Sequence, residues 1–456
     1  MTQQHHQEPG INYARWERTF TRVLSPIEEF IHRQTTSSFL LMGAAILAIV
    51  LANSVFAEQY QHLIHTPVDM HIGGWGIEMS MHHWVNDALM AIFFFVVGLE
   101  LKREILVGEL ADLRQAALPI LAAIGGMVVP ALIFVAFNHD GPALRGWGVP
   151  MATDIAFAVG ALVMLGKRVP KSLVTFLVAL AIVDDLGAVL VIALFYTETL
   201  ALSWLLLSAG LVLLLLTLNF SGIRNAIPYF IVAVLLWYTM LQSGVHATLA
   251  GVIGAFTVPA RSKYNPGLFV QRLKTQLEDF SEHQKLGSNN IMTNEKLHPI
   301  VETIEDSVMG VQTPLQRLEQ FWHVPVAFLI IPVFAIFNAG IPIELGSLTE
   351  TLINPVMLGV FFGLLLGKFL GISGACWLAI KIGWGKMPTG ARFSQLAAVS
   401  VLAGIGFTMS IFIAELAFKD HPDYLLMAKT GVLAGSLTAG ILGSLWLWVL
   451  GSKSKR

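Results

Sequence analysis

The stretch Ser172–Phe195, SLVTFLVALAIVDDLGAVLVIALF, carries two adjacent carboxylates, Asp184 and Asp185, in the middle of an otherwise uncharged run. A run of about 20 apolar residues is long enough to cross the hydrocarbon core of a bilayer as a helix. An aspartate at the centre of such a helix costs roughly 2.5–3.5 kcal/mol on insertion scales. The segment therefore reads as a membrane span holding charges that lipid alone would expel.

The composition supports the same class. The chain has 456 residues, 55% hydrophobic and 13% charged, whereas soluble domains carry about 25% charged residues. So few charges cannot cover a water-facing surface, so most of the surface must face lipid. The formal net charge of -2 and the lack of a Lys/Arg block argue against nucleic-acid binding. The single cysteine, Cys376, excludes an intrachain disulfide and a multi-cysteine zinc site. The polar N-terminus up to about Thr36 lacks an apolar core and small-residue cleavage site, so no secretory signal is expected.

Twelve spans are expected: Ser38–Ala57, Trp84–Leu101, Ala117–Phe137, Gly148–Leu165, Ser172–Phe195, Ala201–Leu218, Ala226–Leu241, Gly244–Pro259, Val324–Ile341, Pro355–Ile380, Gln395–Phe418 and Tyr424–Leu450. With the N-terminus in the cytoplasm, 24 of the 28 Lys and Arg fall in cytoplasmic segments. The positive-inside rule thus supports twelve crossings with both termini inside. The chain divides into an N-terminal segment (1–36), helices one to eight (37–260), a cytoplasmic insert (261–322), helices nine to twelve (323–450) and a tail (451–456). The outer loop, about 58–83, has alternating Val68–Ile72 and Gly76–Met81 around Gly73–Gly74, which reads as a β-hairpin. The insert is polar and mixed in charge. Gly267–Leu286 has helical spacing and Gly287–Asn294 reads as disordered. It is read as a solvated segment, with docking of a partner as the alternative.

Other spans also hold charge: Lys368 in Pro355–Ile380, and Asp154 beside Thr153 in Gly148–Leu165. With Asp184 and Asp185 these would cost on the order of 10 kcal/mol if unpaired. A structural ion pair needs one acid and one amine. Three carboxylates against one lysine leave excess negative charge, which points to a cation site. Asp87 and Glu100 at the two ends of the second span, and His246 at a span's outer end, have two readings each: a functional role, or an interfacial partner. Glu415 and Lys429 read as exposed or locally paired. Gly363, Gly367 and Gly371 form a small-residue stripe that predicts a close helix contact beside Lys368.

Two spans look broken. Gly148–Leu165 holds Pro150, Thr153 and Asp154, and Gln395–Phe418 holds Gly404, Gly406, Thr408 and Ser410. Unwound backbone at membrane depth persists only where it is buried or lines a cavity. Paired broken spans point to a binding site between repeats, here spans three to five and ten to twelve.

The strings VNDALMAIFFFVVGLELKRE, ATDIAFAVGAL, ALAIVDDLGAV, SGVHATLAGV, FAIFNAG, GLLLGKFLGI and GIGFTMSIFIAELAF resemble the NhaA family of bacterial sodium/proton antiporters over about residues 30–260 and 310–450. That family is a known case of inverted-repeat architecture, so its fold comes with the resemblance. The resemblance implies an all-α polytopic membrane protein with two broken, crossing helices in the bacterial inner membrane. It implies Asp185 as the main sodium and proton site with Asp184 beside it, Asp154 and Thr153 at one helix break, and Lys368 near the crossing. It implies pH sensing around Glu100, Glu104 and Glu319, and dimerisation through the outer hairpin. His246 is a separate pH-sensing candidate toward the outer face. Three departures stand out: the insert is long, Gln320 replaces a histidine expected after Glu319, and Phe369 replaces a proline expected after Lys368.

The chemistry fits sodium or lithium exchange for protons, without a cofactor. Sodium, like other hard cations, prefers oxygen ligands. Adjacent helical residues do not share a face, so Asp185 is expected toward the cavity and Asp184 able to turn toward Lys368. Asp154 suits positive helix N-terminal ends and Lys368 suits negative C-terminal ends. Two rivals are a proton-coupled symporter or small-ion channel, and an intramembrane aspartyl protease. The protease needs two aspartates sharing a proton across a cleft, and neither a Gly-x-Gly-Asp nor an HExxH string occurs. The chain thus reads as a transporter and not an enzyme.

Overall fold

In lipid every backbone polar group must be satisfied internally, so apolar runs become helices. The computed structural model describes residues 34–72, 75–197, 200–286, 296–342 and 348–453. Among these, nine helices are long and apolar enough to cross a membrane, and up to eleven count if each of two bent pairs is one span. Those eleven, with the short helix α8 between them, are in chain order α1 (Gln34–Ala52, bent by 112° from the helix Ala57–His65), α2 (Met81–Val107), α3 (Gln115–Phe137), α4 (Pro142–Met164), α5 (Lys171–Phe195), α6 (Leu202–Phe220), α7 (Ala226–Ser243), α8 (Leu249–Thr257), α9 (Pro314–Asn338), α10 (Pro355–Ile382), α11 (Phe393–Leu402 then Phe407–Ala417) and α12 (Pro422–Gly451). The polytopic helical class is as read from the sequence.

Several boundaries differ from expectation by a turn or more, and two of them have a clear local cause. The eighth span is helical only over Leu249–Thr257, because Gly244 ends α7 in the left-handed conformation at φ 83°. At 1.5 Å per residue it is about 14 Å long, too short to cross alone. The ninth begins at Pro314, not Val324, because Thr313 and Gln316 form a capping box: Thr313 Oγ1 accepts from the Gln316 N–H at 3.1 Å, and Gln316 Oε1 accepts from the Thr313 N–H at 3.2 Å. Arg317, Glu319 and Gln320 therefore ride on a helix and not on a loop.

The insert is helical where its spacing predicts a helix, and in a second stretch beyond it. Pro266–Leu286 and Leu297–Val311 are both helices, with Gln276 Nε2 donating to Ser307 Oγ at 3.0 Å between them. The stretch Gly287–Asn294 and most of the N-terminal segment lie outside the described residues. Strands β1 (Pro67–Ile72) and β2 (Trp75–Ser80) pair antiparallel, Pro67 opposite Ser80 and Ile72 opposite Trp75. The Trp84 indole donates to the Val68 carbonyl at 2.9 Å and ties this hairpin to α2.

Matching elements of the two three-helix units meet. On α3 and α10, Gly125 and Gly371 face each other so closely that a Cβ on either would strike the other's carbonyl oxygen. The glycine stripe is thus the expected helix contact: Gly367 lies against Pro130, and Lys368 runs its stem past Gly126. Broken α4 meets broken α11 in the same way. In α4, a 3₁₀ segment (Pro142–Met151) gives way to extended backbone before the helix Ile155–Met164. In α11 the two halves bend by 47°. Gly406 is required at that break, since a Cβ there would sit 2.8 Å from the Ala152 carbonyl oxygen.

Candidate functional site

The break of α4 brings an acid to the ends of two helices. Asp154 caps Ile155–Met164, its Oδ1 accepting from the Phe157 N–H at 3.1 Å. Its Oδ2 accepts from the Thr408 N–H at 3.1 Å and from the Thr408 hydroxyl at 2.6 Å, in the first turn of Phe407–Ala417. The Asp154 N–H donates to the Ile405 carbonyl at 2.7 Å. One carboxylate thus meets two positive N-terminal ends, which the helix dipole favours. Three of its roughly four acceptor positions are used, so the geometry gives Asp154 a scaffolding task first. Ser436 on α12 completes the crossing, accepting from the Gly406 and Phe407 N–H groups at 3.2 Å each.

Thr153 is fully buried, and its hydroxyl donates to the Ala403 carbonyl at 2.9 Å. That carbonyl is at the C-terminal end of the first half of α11. Threonine, and not Lys368 as expected, meets it. The threonine oxygen still has lone pairs to offer.

Lys368 pairs elsewhere. Its ammonium lies 2.6 Å from Asp184 Oδ2, and both side chains are fully buried. A π-helical turn, Gly363–Gly367, immediately precedes Lys368 and supplies an irregularity where proline was expected at 369. Asp184 is therefore bonded to an ammonium and shares no proton with Asp185, so the protease dyad is not built here.

Asp185 is 1% exposed and accepts no hydrogen bond from the described residues. It lines a cavity of about 830 Å³ together with Asp154, Thr408 and Glu100. Asp184 Oδ1 and Asp185 Oδ1 are both buried without a donor among the described residues. A buried carboxylate oxygen without a donor is costly, and a bare cation would relieve that cost. The expected division, Asp185 to the cavity and Asp184 to Lys368, is what the geometry shows.

The three acids at the cavity's mouth come together. Arg103 bridges Glu104 and Glu319 at 3.0 Å each, and Glu104 Oε2 accepts from the Glu109 N–H at 3.0 Å. Glu100 faces His323 at 3.9 Å. His323 was not singled out in the sequence, yet it places an imidazole one helical turn beyond Gln320. Asp87 and His246 stand apart from this cluster. Asp87 is thirteen residues before Glu100 on α2, about 20 Å away. His246 bonds to the Tyr196 carbonyl at 2.6 Å, beyond the far end of α5.

A helical membrane bundle whose two broken helices cross beside buried carboxylates, with a cavity reaching them, defines a secondary ion transporter. The family profile described as Na+/H+ antiporter 1 matches residues 28–447, and the chain belongs to that family. It is similar to the Na(+)/H(+) antiporter NhaA 1 of Saccharophagus degradans, 54% identical over 97% of this chain and 95% of that one. It is 50% identical to the Na(+)/H(+) antiporter NhaA of Sulfurimonas denitrificans, over 95% of this chain and 98% of that one. The solved sodium proton antiporter MjNhaP1 of Methanocaldococcus jannaschii superposes with a TM-score of 0.49 at 11% identity, covering 96% of this chain and 95% of that one.

Proposed function

We infer that this chain exchanges sodium or lithium ions for protons across the bacterial inner membrane, for sodium and pH homeostasis. The observation that carries this is Asp185: a buried carboxylate with no hydrogen-bond donor among the described residues, at a cavity wall. Such a group can be neutralised in two ways, by a proton or by a small cation, and the two exclude each other. Asp184 Oδ1 and the Thr153 oxygen are further oxygen ligands for the cation. Exchange follows if the site faces one side at a time. On the side away from the cavity mouth, Phe94 and Phe334 pack against Phe412 at 5.5 and 6.2 Å between centroids. Beyond them, Glu415 is held by Lys429 at 2.5 Å and meets His82 of α2 at 3.5 Å.

The charge distribution supports both termini in the cytoplasm, which turns the cavity mouth and its Glu100–Arg103–Glu104–Glu319–His323 group inward. These groups are the proposed pH sensors, and Lys368 is the proposed second proton carrier, making exchange electrogenic. In acid-loaded everted vesicles, sodium and lithium are expected to dissipate the pH gradient, and potassium to do so far less. Equal responses to all three ions would refute the assignment. The hairpin is the proposed dimer contact. Deleting Val68–Met81 is expected to convert a dimer to a monomer by light scattering in mild detergent while transport persists; an unchanged mass would place the contact elsewhere.

A further inference from the structure

At the end of the bundle where α4 stops, α11 starts and α12 finishes, a second cavity of about 260 Å³ has a largely polar lining. Its rim carries Lys167, Arg168 and Arg392. None of the three forms an ion pair among the described residues. The surrounding sequence offers no counter-charge either. Residues 155–183, 381–414 and 430–456 hold nine Lys and Arg and no Asp or Glu. By contrast, the 261–322 insert mixes both signs.

The floor is built for a hydrogen-bond acceptor. Gln395 is 8% exposed and lines the cavity. Its Oε1 accepts from the Arg392 N–H at 3.0 Å. Its amide nitrogen donates to no acceptor among the described residues and is not one of the fully buried unpartnered atoms, so it remains open to an acceptor in the cavity. The first half of α11 begins here, adding the positive end of its dipole.

The level of the site is that of lipid headgroups. Arg168 stacks on Trp448 at 5.4 Å, and Lys381 on Trp377 at 4.6 Å. Trp377, Trp384 and Trp448 are all exposed. Tryptophan gathers at the membrane–water interface, and basic pockets between membrane helices take anionic headgroups. A phosphate diester brings one negative charge and acceptor oxygens, matching three cations and one amide donor.

We propose that this cavity binds the phosphate of an anionic phospholipid, held by Lys167, Arg168, Arg392 and the Gln395 amide. The lipid would then tie the ends of α4 and α11 whose opposite ends build the ion site. The test uses the delipidated full chain in mild detergent, titrated with phosphatidylglycerol, phosphatidylcholine or inorganic phosphate and read by native mass spectrometry. One phosphatidylglycerol is expected to be held in preference to phosphatidylcholine. Lys167 and Arg392 are exposed, so the double variant K167Q/R392Q is expected to fold, checked by its elution volume. At about fivefold per basic charge, its affinity for that lipid is expected to fall about twenty-five-fold. The control K381Q/K386Q removes the same charge from the same end and should leave the affinity unchanged. Equal loss in both double variants would show diffuse surface attraction and overturn the site. No loss in K167Q/R392Q, or displacement of the lipid by millimolar inorganic phosphate, would overturn it too.

Discussion

Asp185→Asn is expected to reduce sodium-dependent proton movement to the level of empty vesicles while the protein stays folded. Asparagine keeps the shape and one oxygen but can neither take up a proton nor neutralise a cation. The same change removes a buried carboxylate that has no hydrogen-bond donor among the described residues. Unsatisfied buried groups cost about 1–3 kcal/mol, more when charged. The variant is therefore expected to melt no lower than the parent in detergent, a functional site that trades stability for activity. Asp184→Asn should behave differently, because it breaks the 2.6 Å bond to Lys368 and leaves an unpaired buried amine. The measurement is paired: proton flux in proteoliposomes, and melting of the same preparation. Normal flux in Asp185→Asn would mean that another group carries the ions.

Removing Lys368 has the second large expected effect. Breaking one side of a buried ion pair costs about 3–5 kcal/mol, because the remaining charge is left uncompensated. Lys368 and Asp184 are both fully buried and bonded to each other. Lys368→Gln should therefore lower the melting temperature strongly, and Asp184→Asn/Lys368→Gln should recover most of the loss. If the double variant is as unstable as the single one, the lysine braces something other than Asp184. In a stabilised background, Lys368→Gln is also expected to lose charge movement per sodium on a solid-supported membrane. Unchanged charge would leave the lysine as a brace only.

The buried pair shows how far a sequence reading reaches. Burial of Asp184, Asp185, Asp154 and Lys368 was legible, since each stands inside a run too apolar to hold it by chance. Both breaks were legible from Pro150 and from Gly404–Gly406, because local backbone chemistry causes them. The start of α9 is also written locally, in Thr313-Pro314-x-Gln316, but its first turns are polar and carry no apolar run to mark them. His323 was a surface-like residue until α9 was laid along α2, which set its ring beside Glu100.

By itself the sequence determined the class: a membrane bundle, its broken spans, and the charges it must shelter. These follow from lipid's refusal of unpaired backbone and charge, a constraint that acts on each span separately. Which carboxylate meets which partner was decided only in three dimensions. Asp184 and Asp185 are neighbours in the chain but point about 100° apart on a helix of 3.6 residues per turn. Only the seat of α10 against α3, set by Gly125 and Gly371, determines that Lys368 reaches one of them and the cavity the other. Asp154 likewise became a clasp between two helix ends because α11 brought Thr408 to it, across 254 residues of chain.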